Sequence, residues 1–478
     1  MQYHIVGVAG AGMRAIANLL LDQGHQVSGS DLLSNQYTVA LAARGAQIYQ
    51  GHAAAYVQGA DALLVTAAVK PDHIELVAAA AAGIPRLRRE DLWRQWSRQR
   101  TIIGVAGTHG KTTTTAMIAS VLQYAGLHPG FLIGSDAPGL GTNARWGNPH
   151  APLVIEADEY ERAFLALRSN IAVVTNVEWD HPDIFPTEAS YYETFSAYAM
   201  ECEGVIVACG DGGIDHWSTT ARINAMPFVT YGLTVGNDYQ AILEPQAPAS
   251  NGTEVQTRFR VVGPKNEAVF VQDSKGQLPA SVPFELAVPG LHNVQNALAA
   301  IAVADLLGVP RHTSAEALRS FRGTARRFER LGTAGGITVI DDYAHHPTET
   351  RATLAAARTA FPQARLVVYM QPHTYSRTRT LLDAWGGAFA DADVVLIGAI
   401  YAARERDPDG SLSGLVHTLV ARIAAHHPAA SYGGTIDEAI EVLMVLLQPG
   451  DVLLTLGAGD SNLVGADVLR RLTIMEQI

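Results

Sequence analysis

Thr101-Ile102-Ile103-Gly104-Val105-Ala106-Gly107-Thr108-His109-Gly110-Lys111-Thr112-Thr113 joins an apolar run to a glycine turn and the start of a helix. A strand that feeds a helix through such a loop turns backbone N–H groups toward an anion, and the helix dipole adds positive potential. Lys111 can reach the β- and γ-phosphates of a nucleotide held there, and the Thr112 hydroxyl can ligate Mg²⁺. The general pattern Gly-x-x-x-x-Gly-Lys would place its first glycine at position 105, which is valine; Gly107 makes a shorter variant. A chance Gly-Lys-Thr is common, but one set between a strand and a helix is not. The loop assigns nucleotide binding to Gly107 through Thr113.

Outward from this loop, short apolar runs alternate with helical stretches in three successive regions, the pattern of parallel sheets with crossover helices. Leu153-Val154-Ile155 reads as the next buried strand and ends on Glu156-Ala157-Asp158-Glu159. Ligands gather at the carboxyl ends of such strands, so Glu156 is a natural second ligand for a metal on the nucleotide. Ile171-Ala172-Val173-Val174 leads in the same way to Asn176-Val177-Glu178-Trp179-Asp180-His181, which puts His181 beside the same phosphates. Val255 to Gln272, flanking Gly263-Pro264-Lys265-Asn266, reads as an antiparallel hairpin, and a helix from Asn296 to Leu307 follows.

The chain opens on a second glycine turn. A strand (Tyr3 to Val8) runs into Gly10-Ala11-Gly12-Met13-Arg14-Ala15, then a helix to Gln23 closed by Gly24, then a strand from Gln26 leading to Ser30-Asp31. This fits Gly-x-Gly-x-x-Gly/Ala with an acid about 20 residues on. The pattern requires a diphosphate at a helix N-terminus and an acid near a ribose, which a dinucleotide and a UDP-sugar satisfy equally. The polar stretch Trp93 to Arg100 reads as a boundary, and from about Arg322 the alternation resumes, with strands at Ile337–Ile340, Leu366–Met370, Val394–Ile397 and Val452–Leu456.

Composition limits the partners. The chain of 478 residues suits about three domains at ~150 residues each. A net charge of −12 argues against nucleic acid or an acidic membrane as the main partner. Cys202 and Cys209 fit neither a zinc pair nor a disulfide framework, and no apolar run is long enough for a membrane span. With no signal-like segment at its start, the expectation is a cytoplasmic protein.

Taken together, the motifs resemble the Mur ligase family across nearly the whole chain. Gly7 to Met13 with Ser30-Asp31 is similar to the family's UDP-binding start, and Gly141-Thr142-Asn143-Ala144-Arg145 to its muramate-facing loop. Ala106 to Thr115 resembles the ATP loop, and Glu156-Ala157-Asp158-Glu159 with His181 its magnesium residues. Pro289-Gly290-Leu291-His292-Asn293 with Asn296 resembles the adenine segment, and Arg327 and Asp342 match ATP-contacting positions. Gln371-Pro372-His373-Thr374-Tyr375-Ser376-Arg377 resembles the amino-acid segment of the alanine-adding branch.

The resemblance implies an α/β protein of three domains: a Rossmann-like UDP-binding domain (1–98), a central P-loop ATPase-like domain (99–321) and a C-terminal Rossmann-like domain (322–478). It implies ATP and Mg²⁺ as cofactors, and UDP-N-acetylmuramate and L-alanine as substrates of a monomer or weak homodimer. Lys111, Glu156, His181 and Asp342 would be catalytic, Thr112, Glu156 and His181 would hold the metal, and Tyr343, His373 and Arg377 would form the amino-acid pocket. Thr374 stands where that branch usually has arginine, and Tyr160 where it usually has serine. Trp179 to Phe185 resembles the branch that attaches a murein tripeptide, which leaves the added group open. Between His181 and Lys265 there is no lysine, so the family's carbamoylated lysine is expected to be absent.

Three other readings each leave motifs idle. A nicotinamide dehydrogenase has no use for the Lys111 loop. A P-loop switch or transport ATPase has none for the first turn, and a simple nucleotide-binding module has none for His181 or the third region.

Overall fold

The computed structural model describes residues 1–478 except 67–68, 224–225, 246–256, 265–281, 408–409, 411, 413 and 478. Its strands form three sheets, taken in chain order.

The first comprises β1 (Gln2–Val6), α1 (Ala11–Asp22), β2 (Gln26–Asp31), α2 (Gln36–Ala43), β3 (Gln47–Gln50), β4 (Ala62–Val65), α3 (Ile74–Ala81) and β5 (Arg86–Leu87). The strands are parallel in the order β3-β2-β1-β4-β5. The order reverses beside β1, so the crevice at the carboxyl ends opens next to the first glycine turn. Gly24, at φ +78°, ends α1 as the sequence indicates.

The stretch Trp93 to Arg100, read from sequence as a polar boundary, begins inside helix α4 (Arg89–Ser97). Trp93 and Trp96 are buried, and Trp96 meets Trp146 edge to face at 5.5 Å. The basic residues interleaved with these tryptophans obscured a packed face. Through it one apolar core continues from the first sheet into the second.

The second region holds β6 (Ile102–Ala106), α5 (Lys111–Tyr124), β7 (Gly130–Leu132), β8 (Ala144–Arg145), β9 (Leu153–Glu156), β10 (Ile171–Val174), α6 (Glu188–Met200), β11 (Val205–Cys209), α7 (Ile214–Ile223), β12 (Phe228–Gly232), β13 (Tyr239–Leu243), β14 (Thr257–Val262), β15 (Pro283–Leu286), α8 (Leu291–Leu306) and α9 (Arg311–Ser320). The sheet runs β15-β14-β13-β12-β11-β10-β6-β9-β7-β8. β6, the strand feeding the Lys111 loop, lies between β10 and β9, so three strand ends converge on the loop. Of the expected hairpin, the first arm is β14, which pairs antiparallel with β13 and β15; the second arm and Lys265 lie outside the described residues.

The third region holds β16 (Glu329–Ala334), β17 (Ile337–Asp342), α10 (Pro347–Ala360), β18 (Leu366–Met370), α11 (Tyr375–Thr380), β19 (Val394–Gly398), α12 (Leu415–Ala424), β20 (Ala430–Gly434), α13 (Ile436–Leu446), β21 (Val452–Leu456) and α14 (Ser461–Glu476). Its sheet, β16-β17-β21-β18-β19-β20, is parallel apart from β16. Among the described residues, no helix is long and apolar enough to cross a membrane.

Candidate active site

The Lys111 loop is shaped by its own neighbours. Gly107 (φ +137°) and Gly110 (φ +81°) adopt left-handed backbone. A Cβ on Gly107 would lie 2.0 Å from Thr175 Oγ1, and one on Gly110 2.6 Å from Asn296 Oδ1. Asn176 clasps the loop, accepting from His109 N at 3.0 Å and donating to His109 O at 3.0 Å. Thr108 Oγ1 donates to Glu178 O at 2.8 Å. Thr113 is buried in the first turn of α5.

Lys111 Nζ folds back over this loop. It donates to Gly107 O at 2.6 Å and Thr108 O at 3.0 Å, and pairs with Glu159 at 2.9 Å. Burial opposes its charge, but Glu159 and Asp158 outweigh that and raise its pKa. Glu159 is fully buried and also accepts from Tyr191 Oη at 3.3 Å. Sequence reading placed Glu159 in an acidic cluster that resembles magnesium residues; only the fold brings it under the lysine.

Thr112 Oγ1 donates to Glu156 Oε1 at 2.9 Å, and Gly134 N to Glu156 Oε2 at 2.6 Å. Burial raises the Glu156 pKa. This hydroxyl and carboxylate, side by side at the loop, are hard oxygen donors of the kind Mg²⁺ takes. His181 borders the acid that holds Lys111: its Nε2 is 3.7 Å from Glu159 Oε1, and its Nδ1 receives Arg377 Nη2 at 3.3 Å. An arginine only donates, so in a neutral His181 ring the proton lies on Nε2 and no lone pair faces outward there.

Across from the loop stands the third region. Arg377 grips Asp180 with Nε at 2.9 Å and Nη2 at 3.2 Å, both side chains buried, and its Nη1 reaches His373 Nδ1 at 3.1 Å. The guanidinium expected to hold an amino acid's carboxylate is thus already docked on a carboxylate of the central region. Thr374, at φ +63°, caps α11, its hydroxyl accepting from Arg377 N. Tyr160 lies edge-on to His181 at 5.2 Å and accepts from Arg404 Nη1 at 3.2 Å.

The seam continues through Thr348 Oγ1, which donates to Glu178 Oε1 at 2.8 Å, and through His109, 3.1 Å from both Glu178 and Glu349. Burial disfavours a charge on His109, but Glu349 and Glu178 prevail and raise its pKa to about 9. His109, Glu178 and His346 are the described residues whose potential ligand atoms converge within 4.8 Å. Yet His109 is held as a cation, and His346 Nδ1 accepts from Thr348 N. The trio is an ion-paired seam. Sequence reading missed Asp180, Glu178 and Glu349, whose partners lie far along the chain.

Asp342 closes β17 with its oxygens on Phe328 N and Ala344 N, each at 2.7 Å, and burial raises its pKa to about 6. Arg327 lies 3.6 Å from Glu349 and 5.1 Å over the Tyr343 ring. Asn293 and Asn296 are buried in the first turns of α8; Asn296 accepts from Thr114 Oγ1 at 3.1 Å, which ties this helix to α5. His292 is kept neutral, burial lowering its pKa to about 4.

At the first turn, Gly10 caps α1 with no side-chain bond, so the N–H groups of Ala11, Gly12 and Met13 open the helix uncapped. A Cβ on Gly12 would meet nothing within 4 Å. Asp31 accepts from Ala9 N at 2.9 Å, while the Ser30 hydroxyl is committed to Glu75 at 2.7 Å. Arg14 turns aside to Asp136 at 3.0 Å, beside a cleft of about 450 Å³ that Thr142, Asn143 and Arg145 help line. Asn143 donates to Ala11 O at 3.2 Å, and Arg145 to Leu140 O at 2.9 Å.

The chain matches three family models in succession: Mur ligase family, catalytic domain, over residues 2–101; Mur ligase middle domain over 105–304; and Mur ligase, glutamate ligase domain, over 326–459. A UDP-N-acetylmuramate–L-alanine ligase of Chloroflexus aggregans is 50% identical over 476 residues, 98% of each chain. One from a Roseiflexus strain is 50% identical over 98% of this chain and 100% of its own. The crystal structure of UDP-N-acetylmuramate–alanine ligase from Thermotoga maritima superposes with a TM-score of 0.78 at 28% identity, covering 100% of both chains. A murein peptide ligase from Psychrobacter arcticus gives 0.70 at 27% identity over 99% of both.

Proposed function

We infer, on the premise that this chain belongs to the Mur ligase family, that it is an ATP-dependent ligase joining L-alanine to the carboxylate of UDP-N-acetylmuramate. It would thereby serve peptidoglycan precursor synthesis in the cytoplasm. The observation that carries this reading is the full-length likeness to alanine ligases, joined to a lysine loop whose acids face a polar seam with the third region.

In this reading residues 1–98 hold the UDP-substrate, with the diphosphate on the amides of Ala11 to Met13 and the ribose at Asp31. Residues 99–321 hold ATP, and residues 322–478 close over it with Arg327 and Asp342. The muramyl carboxylate attacks the γ-phosphate. Lys111, released from Glu159, balances the charge of that transfer. Thr112 and Glu156 would hold Mg²⁺, which supplies further charge neutralisation at the phosphates. The products are an acyl phosphate and ADP; the amine of alanine then attacks the acyl carbon, losing a proton, and phosphate leaves. Arg377, with His373 against it, would orient the amino acid together with Tyr343, and the closed seam would keep water from the acyl phosphate.

The test is ADP release with purified protein. It should require UDP-N-acetylmuramate and an amino acid together, with L-alanine preferred over glycine and L-serine. Faster ligation of the murein tripeptide than of alanine would replace the substrate assignment. Tight NADH binding without UDP-sugar binding would overturn the reading of the first region.

A further inference from the structure

His109, His181, His345, His346 and His373 stand along the seam between the central and third regions, and proton counting sets one of them apart. His109 is a cation between Glu178 and Glu349. His373 Nδ1 lies 3.1 Å from Arg377 Nη1, and His181 Nδ1 lies 3.3 Å from Arg377 Nη2. An arginine only donates, so both Nδ1 atoms accept, and in the neutral rings Nε2 carries the proton. His346 Nδ1 accepts from Thr348 N at 3.2 Å, which leaves its proton on Nε2 as well. These four rings offer the seam donors.

His345 is built the other way round. Its Nδ1 lies 2.9 Å from Tyr343 O and 3.3 Å from Glu349 Oε2. Glu349, facing the cations His109 and Arg327, is a carboxylate, so both partners of Nδ1 only accept. The proton is therefore on Nδ1, and in the neutral ring Nε2 carries a lone pair. Burial holds the His345 pKa well below the ordinary histidine range; Arg377 and His373 add to this, against Glu349 and Asp180. Glu349 also accepts from His345 N at 3.0 Å, which anchors the residue on its Nδ1 side. The ring meets Tyr343 edge to face at 5.4 Å and His373 at 5.7 Å. With Nδ1 committed, the open edge is Nε2, which has no protein partner among the described residues.

Tyr343 and His373, the two rings that flank His345, are assigned above to the amino acid together with Arg377. An α-amino acid carries its amine one carbon from its carboxylate, so a molecule held at Arg377 and His373 presents its amine to the neighbouring ring. We propose that His345 is the catalytic base of the second step: its Nε2 accepts an N–H of the incoming amine and takes that proton as the C–N bond forms. The proposal rests on the ligase reading of this seam. The amine brings two N–H bonds and the amide keeps one. The nitrogen lone pair forms the C–N bond, the C–O bond to phosphate breaks with its electron pair, and the proton passes to Nε2, which hands it to the departing phosphate. A histidine held neutral is too weak a base to strip a free ammonium. It suffices for a nitrogen whose acidity rises as its lone pair is used, and it is in its accepting form whenever the amine arrives.

The test compares two nucleophiles on the full-length protein with ATP and UDP-N-acetylmuramate. Hydroxylamine, unprotonated at neutral pH, traps an acyl phosphate as the hydroxamate without a base. In His345→Gln, which keeps a polar side chain but cannot take a proton, turnover with L-alanine should fall about 100-fold or more. Hydroxamate formation in the same variant should match the wild type, which also shows that the variant is folded and makes the acyl phosphate. Near-normal alanine turnover in His345→Gln overturns the proposal. Equal loss of alanine ligation and hydroxamate overturns it too, because the residue would then serve the fold or the first step. A wild type that forms neither product overturns the ligase reading itself, and this inference with it.

Discussion

The turns at Gly7–Met13 and Gly107–Thr113 start from the same plan of strand, glycines and helix, and they are built to opposite logic. At the second, the protein itself demands the glycines, since Thr175 and Asn296 fill the space where Cβ atoms would go. Its lysine is already seated on an internal acid. At the first, a Cβ on Gly7 (φ +80°) would meet Thr66 at 3.0 Å, but nothing crowds Gly12, and Arg14 is turned away to Asp136. On the proposed reading, the second turn is a finished cradle that would support charge in a reaction. The first is an open bed whose shape is completed by what lies on it.

The harshest way to break this contrast is Lys111→Ala. Turnover should fall by two orders of magnitude or more, about 3 kcal/mol of lost transition-state charge stabilisation. Read from sequence, Lys111 is a surface lysine whose loss spares the fold. The buried Glu159 changes that expectation, because the variant strands a carboxylate in the interior. The melting temperature should fall as well, and Lys111→Ala with Glu159→Gln should recover stability without recovering turnover. Near-normal turnover in the single variant would remove the loop from the mechanism.

A second pair of variants sets the turns against each other. Gly107→Ala should destabilise the fold, being strained at its φ and blocked by Thr175. Gly12→Ala should leave the melting temperature unchanged or raise it slightly, since alanine suits a helix better by about 0.5–1 kcal/mol. The same change should raise KM for UDP-N-acetylmuramate and leave KM for ATP alone. Equal melting losses in both variants would erase the contrast.

The pH dependence of the seam is a smaller effect. His109 has its pKa raised to about 9 in the folded protein, against an ordinary value near 6.5. Its contribution is therefore complete below about pH 6.5 and is lost as pH rises through about 9. The melting-temperature difference between wild type and His109→Asn should shrink over that interval, and a difference that grows with pH would contradict the ion-paired assignment. The smallest expectation is no change: depleting carbon dioxide, then restoring bicarbonate, should leave activity constant. A loss on depletion that bicarbonate reverses would reveal a carbamoylated lysine.

What could be read ahead of the structure was local. The Lys111 loop announces itself because strand, glycines, lysine and helix are contiguous, and β17, β18, β19 and β21 stand out as apolar runs. Helix α4 escaped because Arg94 and Gln95 separate its two buried tryptophans. The seam was illegible for a different reason. Arg377 and Asp180 are 197 positions apart, and nothing in either neighbourhood signals the other. The same holds for Thr348 and Glu178, 170 positions apart. Composition allowed three regions without showing that the first two share an apolar core while the third meets them through charge.

The Lys111–Glu159 pair has a consequence for competition among anions. Because the lysine's charge is already answered, an arriving phosphate gains only the difference between itself and the carboxylate it displaces. Stray inorganic phosphate or a nucleic-acid backbone, bringing one contact, gains little from that exchange. On the proposed reading, a nucleotide triphosphate would bring several at once, to the loop amides, to Thr112 and to the third region, and so evict the acid. Weak general affinity for anions is then the condition for discriminating among them.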